Sequence, residues 1–585
     1  MLIYEDGDSR SDIQLKEDAH AHSRYPPSTL SDSSGPRGEK ELAEKYAAAA
    51  HGEVEVGVLV SEADNAVREA KGKIGRALHA VTAQLARWGL EVNGIVPIPE
   101  EQRTERRLYQ FFFVWFSANA NILTLSAGTV GPAYYSLGIR DSFYVILVVD
   151  LITCAFPAFF STFGPKLGTR AMVQSRFSWG YYGAILPSLL NVLSMQGYLV
   201  VNTIIGGQTL AEVSGHLSAT LGIVIIALIS LAITFCGCKV LHWYQTLIWI
   251  PNVIAFIVML AVGGKQIAQA SVTSTSPAPA SMLLSFGSSL AATVVSWSTL
   301  TPDYGVYHDS KASAWKVFAY AYLGFFVSSL PAHMLGAAFA AAAVSVPSWE
   351  AGFGDGNDVG GLVAAILAPT KGFGKLLLVL LSLTAPSAVA PTMYTVCTSF
   401  MTIHRALARI PRFLIALVST AVLIPLAIVG AAKFYTTFVD ILALIGYWIA
   451  PFCAIVMTEH FLFRRGSYSL AAYDVPHAWS DPAHPNLPRG PAAFCALGAA
   501  VALIVPCIQQ AWFTGPIAAR GNTGDLGMVV GFAVSVPVYA AARGAEVWWT
   551  RRRRMGMARK ESREMSEVGE AGGPRRRLGG LLSRV

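Results

Sequence analysis

Of 585 residues, 53% are hydrophobic and only 14% are charged, with a mean hydropathy of +0.46. A soluble chain carries nearer a quarter charged residues, so the composition excludes a soluble globular enzyme or binding module and points to a polytopic membrane protein. The net charge of +7 does not point to nucleic acid, because residues 551–585 hold 11 Lys/Arg against 4 Asp/Glu and everything before them sums to zero.

The chain opens on polar sequence. Residues 1–60 have the composition of a disordered cytosolic tail, and no secretory leader is recognisable in them. Residues 61–110 form a pre-membrane segment. Within it, "SEADNAVREAKGKIGRALHAVTAQLARW" has helical spacing and predicts an amphipathic surface helix, solvated or skimming the membrane. Apolar blocks then recur over 111–545. They predict twelve transmembrane helices, near 111–130, 142–163, 184–206, 217–236, 245–263, 282–301, 316–343, 375–400, 411–430, 436–463, 490–513 and 526–545. With the N-terminus inside, the cytoplasmic loops hold twelve Lys/Arg between Lys166 and Arg489, and the outer loops six between Arg140 and Arg520. That bias predicts both termini in the cytosol. The outer stretches "SVTSTSPAPA" and "SWEAGFGDGNDVGG" read as turn-rich and poorly structured. The basic tail, 546–585, contains "TRRRRMGMARK" directly after the last span, which fits a topology signal or a contact with anionic lipid headgroups. Seven cysteines lie in or beside apolar segments without metal-like spacing, so no disulfide frame, metal site or cofactor is expected.

Two spans are interrupted. Span 1, "FFFVWFSANANILTLSAGTVGP", is small and polar over Ser117–Asn121. Span 6, "MLLSFGSSLAATVVSWSTLTPDY", ends in hydroxyls, Trp297 and Pro302. Interruptions at matching places in two halves of a chain mark a transporter site. Backbone groups freed there must line a polar cavity, because lipid cannot satisfy them. The plainer alternative is a Pro-terminated helix whose hydroxyls bond back to their own turn.

Several blocks are long and specific: "GLEVNGIVPIPEEQRT", "VWFSANANILTLSAGTVGP", "STFGPKLGTRAMVQSRFSWGYYG", "SWSTLTPDYGVY" and "IGYWIAPFCAIVMTEHFLFRRG". In these the chain resembles the fungal purine–cytosine permeases of the nucleobase:cation symporter family 1, in collinear order from about residue 90 to 545. The resemblance implies an all-α membrane fold with a LeuT-like five-plus-five inverted repeat, two extra helices, and helices 1 and 6 broken. It also implies proton-coupled import of nucleobases such as cytosine and purines at the plasma membrane.

A nucleobase needs an aromatic face for stacking and amides or hydroxyls for its edge. Trp297 supplies the face and matches the family's site tryptophan; its alternative is an interfacial-belt residue. Asn191, Met195, Tyr198 and Asn202 share one face of span 3, which must point into the bundle. Asn202 matches the asparagine that contacts the base in the family, and a helix–helix hydrogen bond is its alternative. Ser117 matches the family's span 1 serine. Span 8 departs from the pattern. "LSLTAPSAVAPTMYT" keeps Pro391 and Tyr394, but Ala388 and Val389 stand where the family has asparagines. The missing amides put base recognition in doubt, with Ser387 or Thr384 as substitutes. Asp150 and Asp440 are candidates for coupling on position alone, while Asp303 and Glu459 read as gate or loop contacts. No nucleophile–base pair points to an enzyme. The expected partners are a nucleobase-like solute, a proton and membrane lipids. The rivals are the same fold carrying pyridoxine or thiamine, and a nutrient receptor that does not transport.

Overall fold

The computed structural model describes residues 94–235, 237–270, 277–354 and 356–571. The expected tail 1–60 and the surface helix at 61–88 lie outside the described residues. Each of the twelve predicted spans coincides with a helix. By length and hydropathy, however, nine described helices suffice to cross a membrane, or ten when the bent pair in span 1 counts once. The other two, Ala219–Phe235 and Pro491–Cys507, have 17 residues each, the short limit for a hydrocarbon core about 30 Å thick. Span 11 was expected to reach 513. It stops at Cys507, one residue after Pro506, and a two-residue antiparallel ladder of Gln509–Gln510 with Phe513–Thr514 follows. The last helix does not stop at 545 but runs unbroken from Gly527 to Ala571.

Burial sorts the spans. The helical windows in Gly372–Ile403 (span 8) and Phe434–Phe463 (span 10) are 78% buried, against 22% for Leu247–Gln269 (span 5) and Gly527–Arg553 (span 12). The former pair forms the core, and the latter present side chains such as Ile257 and Val529 outward. Lipid tails are as apolar as leucine, so helices are held together by close packing rather than by the hydrophobic effect. Glycine supplies that approach between span 1 and span 7 (Ala314–Ala343). A Cβ on Gly128 would fall 1.9 Å from the His333 carbonyl oxygen, and one on Gly336 1.9 Å from that of Leu125.

The stretch at 348–361, expected on the outer side, is better ordered than its composition predicts. It folds into helices Pro347–Phe353 and Val359–Leu367, joined by a turn and capped where Asp358 accepts a hydrogen bond from Gly361 N at 2.8 Å. Its glycines, read as loop signals, let the two helices touch: a Cβ on Gly361 would lie 2.1 Å from the Gly352 carbonyl oxygen. On the opposite side, Asp303 knits three segments together. Its carboxylate accepts from Ala171 N at 2.7 Å and Thr398 Oγ1 at 3.1 Å, and its carbonyl accepts from Arg170 at 2.9 Å. Glu459 pairs with Arg464 at 3.0 Å and Arg543 at 3.1 Å. Both carboxylates are engaged by these contacts.

Candidate substrate site

Span 1 is built from Tyr109–Asn119 and Ile122–Tyr135, bent by 55° at the junction. The sequence explains the break. Asn121 caps the second half, its Oδ1 accepting from Thr124 N at 2.9 Å, so the side chain replaces the helix turn that the first half would have continued. The carbonyl of Ala120, freed by the bend, accepts from Asn252 Nδ2 of span 5. Asn119 Nδ2 donates back to Trp115 O at 3.0 Å. All these groups are buried, and the unwound peptides are satisfied by amides rather than by lipid.

Span 6 changes helix type at the matching place. Its α-helix, Ala280–Val295, gives way to a 3₁₀ turn at Ser296–Thr299, and a short helix Thr301–Gly305 resumes after Leu300. Tyr198 of span 3 (Ile185–Ala211) holds this joint. Its hydroxyl donates to Thr293 O at 3.1 Å and accepts from Ser296 Oγ at 2.9 Å.

Between the two interruptions lies a cavity of ≈ 20 Å³, room for about one water. Trp297 lines it, together with Asn119, Asn121 and Thr124 of span 1, Tyr198, and Ser329 and His333 of span 7. The Trp297 ring is 7% exposed and wedged against Trp115 (5.9 Å, 68°) and Phe325 (6.1 Å, 58°). Those neighbours hold its plane, and a face-on ligand gains from a platform that does not have to be ordered first.

The other predicted site residues sit apart from the lining. Ser117 is fully buried one turn from the break, and its Oγ has no partner. Asn202 is buried, with Nδ2 donating to Tyr198 O at 2.9 Å within its own helix. Asn191 Nδ2 donates to Ser399 Oγ of span 8 at 2.9 Å, so that amide ties two helices together. Ala388 and Pro391 are buried in span 8 without reaching the cavity. The two proposed substitutes for the missing amides are committed to their own turn: Ser387 Oγ donates to Thr384 O at 2.7 Å, and Thr384 Oγ1 to Leu381 O at 2.6 Å. Asp440 is half-buried, whereas Asp150 is fully buried and paired with His333.

A family profile described as a permease for cytosine/purines, uracil, thiamine and allantoin matches residues 97–531. The chain belongs to this family. Purine-cytosine permease fcyB of Emericella nidulans is 32% identical over 502 residues, covering 84% of this chain and 96% of that one. Purine-cytosine permease FCY21 of Saccharomyces cerevisiae is 33% identical, covering 78% and 87%. Among solved structures, Mhp1, a nucleobase-cation-symport-1 family transporter in a closed conformation with bromovinylhydantoin bound, aligns with a TM-score of 0.57 at 18% identity. The alignment covers 77% of this chain and 95% of Mhp1. That likeness concerns the fold, and it agrees with the expected LeuT-like inverted-repeat architecture. In this permease, Ser329 and His333 are lining residues that sequence reasoning missed. The available signal was polar: a lone histidine inside an Ala- and Phe-rich membrane helix is costly unless it faces the bundle interior.

Proposed function

We propose that this permease imports a nucleobase-like heteroaromatic solute, cytosine or a purine, across the plasma membrane by alternating access with a proton as the co-transported ion. The observation that carries the reading is Trp297: a braced aromatic face at the joint of two interrupted helices, opening on a small, closed cavity. A flat base stacks on such a face and presents donors and acceptors at its edge. Ser329 lines the same cavity with a buried hydroxyl that has no partner, and the unpartnered Ser117 hydroxyl lies close to the break. These two groups are our candidates for the edge, with Asn202 positioned behind Tyr198. A base is many times larger than one water, so binding requires the cavity to widen opposite the braced Trp297 face, and its closure over the base is the occluding step.

Residues 1–110 are read as a cytosolic extension, 111–545 as the transport domain and 546–585 as a cytosolic basic tail, with both termini inside.

A second reading keeps the fold and changes the cargo to pyridoxine or thiamine. It is favoured by Ala388 and Val389 and by the commitment of Ser387 and Thr384 to their own helix, which leaves span 8 without an edge amide. A competition panel separates the two: bases that inhibit uptake more strongly than either vitamin support the first reading, and the reverse ranking supports the second.

A further inference from the structure

Two ionisable side chains meet at the wall of the cavity. Asp150 of span 2 (Ile139–Leu167) and His333 of span 7 are 0% and 1% exposed. Nδ1 of His333 lies 2.9 Å from one Asp150 carboxylate oxygen and 3.2 Å from the other. His333 also lines the space that Trp297 faces. Among the described residues, the neighbouring stretches of spans 1, 5 and 6 bring no other charge against this pair. Span 1 from Phe111 to Ala133 contains no ionisable residue, nor does span 6 from Ala280 to Thr299. The described side chains of span 5, from Leu247 to Gln269, include only Lys265, at the outer end. The titratable neighbours are weak acids. Cys154 lies one turn along span 2, and Tyr322 of span 7 donates to Leu151 O at 2.9 Å. Tyr198 shares the cavity, and Tyr435 of span 10 bonds to Thr129 of span 1.

We propose that Asp150 and His333 together form the proton-binding site that couples uptake to the proton gradient; the identity of the solute rests on the reading above, the proton site on this pair. In its net-neutral form the pair carries one exchangeable proton, either as imidazolium beside carboxylate or as imidazole beside carboxylic acid. The two forms interconvert by transfer across the 2.9 Å contact, and the proton belongs to the pair rather than to either residue. Loss of that proton leaves the Asp150 carboxylate with only the Nδ1–H of neutral His333 as donor, a buried charge without a counter-charge beside a cavity with room for one water. Closure over the solute therefore selects the protonated pair. The proton comes from water on the outer side and returns to water on the inner side when the cavity hydrates, so one proton crosses with the solute and the only bonds made and broken are the N–H or O–H bonds that carry it. The geometry also places the pair to act on the moving element. The His333 carbonyl is the atom against which Gly128 packs, in the outer half of broken span 1. A change of charge at His333 is thus applied where span 1 and span 7 are most tightly joined.

The test uses the full-length protein in proteoliposomes, with labelled cytosine outside and a pH dye inside. For the unmodified protein, cytosine evokes proton influx. Accumulation rises as the outer pH falls, and a protonophore abolishes it. Asp150→Asn and His333→Gln keep hydrogen-bonding shape but remove the titrating pair. Each is expected to lose evoked proton influx, pH dependence and accumulation above equilibrium; labelled-for-unlabelled exchange is expected to continue in Asp150→Asn, whose side chain lies outside the cavity lining. Asp150→Glu, which keeps a carboxylate, is expected to retain coupling with a displaced pH profile. Either amide variant accumulating cytosine with the normal pH profile and proton influx overturns the proposal. If the amide variants do not assemble, Asp150→Glu decides, since an unchanged pH profile in it counts against the pair. Sodium-driven accumulation without proton influx in the unmodified protein also overturns it, while leaving the nucleobase reading intact. Conversely, pyridoxine-evoked proton influx that Asp150→Asn removes, with no base transported, rejects the nucleobase reading and keeps the pair.

Discussion

Replacing Trp297 by alanine removes the ring that forms one wall of the cavity and leaves Trp115 and Phe325 without their shared neighbour. Two effects have to be separated. Truncating a buried tryptophan destabilises a fold by about 3–5 kcal/mol, and with the ring only 7% exposed the upper part of that range applies. Losing a stacking platform costs a bound base about 1–3 kcal/mol, which is about 5- to 150-fold in affinity. Trp297→Phe separates the terms, because it keeps an aromatic face and most of the packing against Trp115. Initial-rate uptake of labelled cytosine, normalised to surface-labelled protein, should show saturable transport lost in Trp297→Ala and a raised KM in Trp297→Phe. Normal uptake per surface molecule in Trp297→Ala would place the substrate elsewhere and refute the assignment of the site to the broken helices.

Gly128→Ala should block assembly, since its Cβ would sit 1.9 Å from the backbone oxygen of His333, whereas Gly287→Ala, whose nearest neighbour is Val145 Cγ1 at 3.5 Å, should be tolerated; fluorescence-detected size-exclusion profiles distinguish the two. Asn252→Ala strips the freed Ala120 carbonyl of its donor and should cost about 1–3 kcal/mol, read as a lowered melting temperature in detergent. Just before span 1, hydrogen bonds from Arg107 hold the Glu105 carboxyl down to about 2, below its ordinary value of 4.5. The folded pKa is the depressed one, so this contact stabilises fully above about pH 4.5 and is lost as pH falls towards 2; Glu105→Gln should flatten the acid limb of a thermal-stability profile.

The spans were legible because apolar runs of membrane length leave little ambiguity, and the break in span 1 was legible because Ser117–Asn121 has no business in lipid. The boundary errors have physical causes. Pro506 and the following turn ended span 11 early, while the last helix continued past 545 because "TRRRR" is as good a helix former as it is a topology signal. The outer stretch at 348–361 was misread because glycine at a helix–helix contact looks in sequence like glycine in a turn. Trp297, singled out in sequence by its unusual neighbours, lines the cavity. Ser329 and His333 were missed because one hydroxyl and one imidazole on a 30-residue helix mark no period, and only packing shows which face meets the cavity. Asn191 and Asn202 look alike in sequence and differ in partner alone, Ser399 for the first and its own helix for the second.

The most direct measurement is uptake of labelled cytosine and hypoxanthine by a permease-null host expressing this chain, with surface protein quantified in the same cells. The account predicts saturable accumulation of at least one of these bases above its external concentration, with the same base displacing pyridoxine and thiamine in competition. Uptake of both bases no greater than in the empty host, at normal surface expression, would contradict it.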